Sequence, residues 1–165
     1  MHITSAGLTF GATALCAIFL ASCAPRPAIQ YSAPPQGSDE QAAAQAFEAL
    51  VGAYVRQDWH DVMALIADDV QIEPAVPDAA GASGADAPRV MNKHEYGEAI
   101  KPLMASLRGY QVEQVTLRTV DPAHVLVSAT VTVLMADQPS IQQRDRFWVF
   151  EHRGEHWLVV RAQYL

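Results

Sequence analysis

"YVRQDWHDVMALIADDVQIEP", residues Tyr54 to Pro74, runs from the end of one helical pattern through a second and into a strand. Tyr54 closes a stripe begun by Ala43, Ala46, Phe47, Leu50 and Val51, spaced as one face of a helix. Asp58, with Asp61 three residues on, has the form of a helix start, and acidic groups there complement the helix dipole. Trp59, Val62, Met63 and Ile66 supply the apolar face of a second, short helix. Val70 to Glu73 comes next as a brief strand that Pro74 stops.

Working outward, Ser38-Asp39-Glu40-Gln41 has the capping-box form and opens the first helix. On the other side, Ala75 to Val90 mixes Ala, Gly, Pro and Asp without a period. A stretch with so few apolar side chains offers little to offset the entropy of ordering it, and is expected to be dispensable for folding. Asn92-Lys93-His94-Glu95 caps a third helix with Tyr96, Ile100, Leu103 and Met104 on its apolar face, and Pro102 is expected to kink or shorten its end. The remainder reads as four strands: Tyr110 to Val120, Val125 to Met135, Ile141 to His152 and His156 to Tyr164. Asp121-Pro122 and Arg153-Gly154-Glu155 supply the turns at two of their junctions. Helices first and antiparallel strands after is the α+β pattern, with helices on one face of a curved sheet.

The chain has 165 residues, half of them hydrophobic, which is one ordinary domain and an additional segment. Its formal net charge is -7, and between Asp39 and Asp86 acidic residues outnumber basic ones ten to one. Such a front half repels phosphate backbones, so nucleic acid is not an expected partner. The two cysteines, Cys16 and Cys23, lie in or just after the apolar N-terminal run and cannot staple the domain C-terminal to them.

That run, densest from Leu8 to Leu20, is shorter than the ~20 residues that span a bilayer and suits a signal-peptide core. It ends in Leu20-Ala21-Ser22-Cys23, which resembles the bacterial lipobox. The resemblance implies cleavage after residue 22, a diacylglyceryl group on the Cys23 thiol, and an acyl chain such as palmitate on its freed amine. The competing reading is an uncleaved membrane helix with Cys23 there by coincidence. Residues 23–37 hold Pro25, Pro27, Pro34 and Pro35 and read as a tether. At ~3.1 Å per residue such a tether reaches roughly 40 Å. Ala24 after the cysteine, by resemblance to sorted lipoproteins, implies the outer membrane facing the periplasm.

The order helix, helix, short strand, helix and strand meander resembles the nuclear transport factor 2-like superfamily, which includes ketosteroid isomerases and SnoaL-like proteins. The Tyr54 to Pro74 segment is similar to its opening, and "FEHRGEHWLVVRAQY", Phe150 to Tyr164, to its closing hairpin. The resemblance covers residues 38–165 and implies a cone: a curved antiparallel sheet packed on three N-terminal helices, with a ligand cavity at its mouth. In ketosteroid isomerases the general base stands on the short first strand before a proline, where this chain has Glu73-Pro74. The family's oxyanion-stabilising tyrosine aligns with Leu50 and its second acid with Arg146, so that activity is disfavoured.

Arg144, Arg146, Trp148 and Phe150 alternate on one strand face, the one matching the cavity side. An arginine beside a tryptophan there suits a carboxylate or an aromatic ligand. The structural alternative pairs Arg146 with Glu73 or an acidic helix residue. Tyr54, Trp59 and Met63 are candidate lining residues, though such spacing equally describes core. His152 and His156 flank a hairpin tip with no third ligand, so no metal is expected, and no cofactor either. Together these features describe a lipid-anchored envelope protein with a binding domain for a small apolar or anionic molecule or an envelope protein. A homodimer through the sheet face is a further expectation. Two alternatives stand beside it: a SnoaL-like lyase or isomerase using Glu73 as base, and a structural subunit of an envelope or secretion assembly.

Overall fold

The computed structural model describes residues 29–73, 90–136 and 142–163. The signal-peptide region, Cys16 and Cys23 lie outside the described residues, and so does nearly all of the patternless stretch, residues 74–89.

Helix α1 spans Gly37–Arg56. Ser38 does not cap it: its hydroxyl bonds the Asp39 carboxylate at 3.3 Å. Instead Gln36 occupies the N-cap, and Glu40 turns back to accept its backbone N–H at 2.7 Å. Gln57 ends the helix in the left-handed region at φ 59°. Asp58 then caps α2, Trp59–Ala64, by accepting the Asp61 N–H at 3.1 Å, as its spacing predicts. Ile66, expected on that helix, is instead the first residue of strand β2, Ile66–Glu73, because α2 stops at Ala64. Helix α3, Lys93–Ser106, opens with a complete capping box between Asn92 and Glu95. It runs on past Pro102 for one more turn.

Four long strands form an antiparallel meander: β3 Leu107–Asp121, β4 His124–Met135, β5 Gln142–Arg153 and β6 His156–Gln163. β2 pairs in parallel with β6, and a short strand, β1 Ile29–Tyr31, pairs in parallel with β3. The sheet order is therefore β1-β3-β4-β5-β6-β2. Neither parallel edge is predicted by the sequence pattern. Residues 29–31, which composition places in the tether, belong to the domain.

The sheet curves because β3 slips register between Glu113 and Thr116, with Gln114 at φ 53°. Such a bulge bends a strand and deepens its twist. Helices α1 and α3 pack into the resulting hollow. Phe47 fills its narrow end, 5.0 Å from the Trp148 ring and 6.4 Å from Phe150 in an edge-on contact. Leu50, Val51, Val62, Ile100, Val115, Val125, Val127 and Val159 are all buried around these rings. This is the α+β cone, with its buried aromatic core at the closed end.

Candidate functional site

The open end is different. Between the C-terminal half of α1, α3 and the ends of β4 and β5 lies a cavity of about 180 Å³. Ile100, Leu103 and Met104 come to it from one face of α3, and Leu107 from the start of β3. Val131, Val133 and Met135 supply the sheet wall by the twofold alternation of β4. Tyr54, Arg144 and Arg146 are its polar residues.

Strand alternation puts Arg144, Arg146, Trp148 and Phe150 on the inner face, as the sequence indicates. Only the two arginines reach the cavity. Trp148 is buried against Phe47 and belongs to the core, which corrects its placement as a ligand contact. Arg144 is exposed at the rim. Arg146 is 7% exposed and stands opposite the small side chain of Ala129 on β4.

Arg146 has no carboxylate partner among the described residues. Its Nη1 donates to the Asp145 carbonyl at 3.3 Å, and its buried Nε has no partner. Asp145 accepts the Thr130 hydroxyl at 2.8 Å instead. Burial, and then the charge of Arg144, hold the Arg146 guanidinium below its usual range, with Tyr110 and Asp145 acting the other way. Among the described residues no carboxylate is hydrogen-bonded to this buried cation.

A tyrosine cluster stands beside it. The Tyr54 and Tyr110 rings stack with centroids 5.1 Å apart and planes 13° from parallel. The Tyr54 and Tyr96 hydroxyls share a short hydrogen bond. The Tyr110 hydroxyl is buried without a partner. Its burial pushes its pKa well up, so it is a donor at any ordinary pH, and Arg146 pulls the other way. In the sequence Tyr110 reads only as the start of a strand; its step-of-two relation to buried Val112 is the available signal.

The remaining candidates lie elsewhere. Glu73 sits on the sheet edge and accepts the Nε of Arg161 at 2.8 Å, with Arg161 Nη2 also bonded to it. It does not meet Arg146, because β2 pairs with β6 and brings Arg161 beside it. Trp59 and Met63 border a separate open depression with Asn92, Lys93 and Gly97. The Trp59 indole N–H donates to the Gly97 carbonyl at 3.2 Å, and Lys101 Nζ lies 5.4 Å from its ring centroid. His152 stacks on Trp157 at 5.1 Å, and no group of metal-ligating side chains forms among the described residues.

The described cavity wall therefore offers hydrogen-bond donors and apolar surface, with no carboxylate or imidazole on it. Comparison of the backbone with solved structures finds the same fold repeatedly. A protein of unknown function from Shewanella oneidensis, described as nuclear transport factor 2-like, superposes with TM-score 0.61 at 10% identity, over 76% of this chain and 98% of its own.

The fold is the nuclear transport factor 2-like cone.

A calcium/calmodulin dependent protein kinase II association domain, so named provisionally, from Xanthomonas campestris shares this cone with TM-score 0.62 at 18% identity, covering 84% of this chain and 95% of that one. A nuclear transport factor 2-like protein from Streptomyces avermitilis, provisionally called a dehydratase, matches with TM-score 0.59 at 18% identity over 76% and 93%. No family model and no curated protein matches the sequence. At such identities the likeness carries the cone and nothing of its neighbours' chemistry.

Proposed function

We propose that this chain is a lipid-anchored envelope protein whose nuclear transport factor 2-like domain binds a small molecule without transforming it. The observation that carries the binding role is the cavity at the open end. It is apolar on most of its wall and has no carboxylate or imidazole among its described lining residues, while Glu73, the one candidate base, is tied to Arg161 at the sheet edge. Proton abstraction from carbon needs a base within hydrogen-bond reach of the substrate, and the described wall supplies none. A dehydratase role of the kind named for the Streptomyces protein meets the same objection. The anchor rests on Leu20-Ala21-Ser22-Cys23 behind an apolar run of signal-peptide length.

Apolar cavities of about 150 Å³ take up benzene, so this one has room for a ring. Toluene added to the full-length chain in detergent should shift the methyl NMR signals of Ile100, Met104 and Val131 saturably. Leu103→Trp, which fills the cavity from its half-buried rim, should abolish those shifts. Unmoved methyl signals in the unaltered protein would overturn the pocket.

A further inference from the structure

We propose that the molecule this cavity takes is a small monocarboxylic acid, its carboxylate against the Arg146 guanidinium and its apolar body against Ile100, Leu103, Met104 and Val131. The proposal rests on the binding pocket proposed for the open end and adds the ligand's chemical class.

Charge is the first ground. Arg146 is 7% exposed, and its guanidinium donates to a neutral backbone carbonyl. Buried charges are ordinarily paired, because the interior cannot replace the water they lose. Here the space next to the guanidinium is a cavity in place of an acidic side chain, so the partner is something that enters. A carboxylate matches the planar fork of a guanidinium with two parallel hydrogen bonds. Arg146 is one of the residues lining that cavity.

Charge also separates the polar molecules that could enter. An alcohol or amide would leave the cation uncompensated. Of the two arginines at the cavity only Arg146 is buried, so its enclosed part holds one positive charge and favours a carboxylate over a doubly charged phosphoryl group.

Size and shape set the remainder. The volume of about 180 Å³ slightly exceeds the roughly 150 Å³ that holds benzene. A phenyl ring or a chain of a few methylenes fits beside the carboxylate. Arg144 at the rim adds positive potential at the entrance of a chain whose net charge is -7. Local positive potential at a cleft raises the on-rate of an anion even when the whole molecule repels it.

The test is calorimetric titration of the full-length chain with benzoate and hexanoate against benzamide and hexanamide, and with phenylphosphonate. The acids should bind at least about tenfold more tightly than their amides, the factor expected for a hydrogen-bonded charge. Arg146→Met should erase that preference while the amides still bind. Arg146→Lys, which keeps the charge and loses the fork, should retain part of it, and this covers the case in which the Met variant fails to fold. Equal binding of acids and amides, or tighter binding of phenylphosphonate than benzoate, overturns the proposal. If toluene enters the cavity and the acids do not, the acid site alone falls; if neither enters, the binding pocket falls with it.

Discussion

Arg161 on β6 donates its Nε to the Glu73 carboxylate on β2 at 2.8 Å, across the parallel strand pair that closes one edge of the sheet. Both side chains are partly solvated, 53% and 32% exposed. A pair in that setting contributes little, about 0–1 kcal/mol. Glu73→Gln should therefore lower the melting temperature by only a few degrees and leave toluene and benzoate binding unchanged. Loss of ligand binding in that variant would return Glu73 to the site.

Arg146 gives the opposite sign. Replacing an enclosed cation that has no acidic partner with a methionine removes a desolvation cost and adds apolar contact. Without ligand, Arg146→Met should be more stable by about 1–2 kcal/mol, seen as a melting temperature higher by roughly 4 °C or more. A destabilised variant would reveal a carboxylate already paired with Arg146.

Acid titration probes the β5–β6 hairpin. Arg153 grips Asp69 on β2 with both Nη groups, at 2.7 and 2.9 Å. That hydrogen bonding holds the Asp69 carboxyl below its ordinary value of 3.8, against the opposing effect of burial. A depressed folded pKa means the contact supports the fold above the unfolded pKa and is lost as pH falls through the folded one. The link should hold throughout the neutral range and release only below about pH 3.8. Carboxyl NMR titration should place Asp69 under 3.8, and Arg153→Gln should return it there. An unperturbed Asp69 in the parent protein would show the grip is absent in solution.

Mass spectrometry of the protein extracted from its native membrane decides the anchor. The expected N-terminal residue is Cys23 carrying a diacylglyceryl group and an acyl chain. Ser22 still joined to an unmodified Cys23 would refute it, and Cys23→Ala should leave the chain unprocessed.

Local features are legible in the sequence. Asp58 with Asp61, Asn92 with Glu95, and Gly154 at φ 65° in its hairpin each satisfy their hydrogen bonding or geometry within a few residues, so residue type and spacing define them. The inward direction of Arg144 and Arg146 is equally legible, because alternation along a strand needs no partner. The features that escape a sequence reading depend on distant pairing. Glu73 meets Arg161, 88 positions away, only because β2 lies parallel to β6. Trp148 is core because Phe47 of α1 arrives over it. Ile29–Tyr31 is three residues among prolines, too short to show a period, and becomes a strand through the free edge of β3. The cavity itself is a gap between elements, and no single segment encodes it.

Strand β1 alters how the domain hangs from its N-terminus. Ile29 and Tyr31 are in register with Val112 and Val115, Ser32 N–H bonds the Val115 carbonyl at 2.8 Å, and the Tyr31 hydroxyl reaches Glu48 at 3.0 Å. If Cys23 carries the proposed lipid, five residues separate it from β1, and five residues reach at most about 15 Å at PPII extension. On that proposal the domain would ride close against the lipid surface, with the β1–β3 border nearest to it, and would not sample a wide radius in search of partners. Any tug on the anchor passes straight into that border, so mechanical tension would reach the sheet before a slack linker could absorb it.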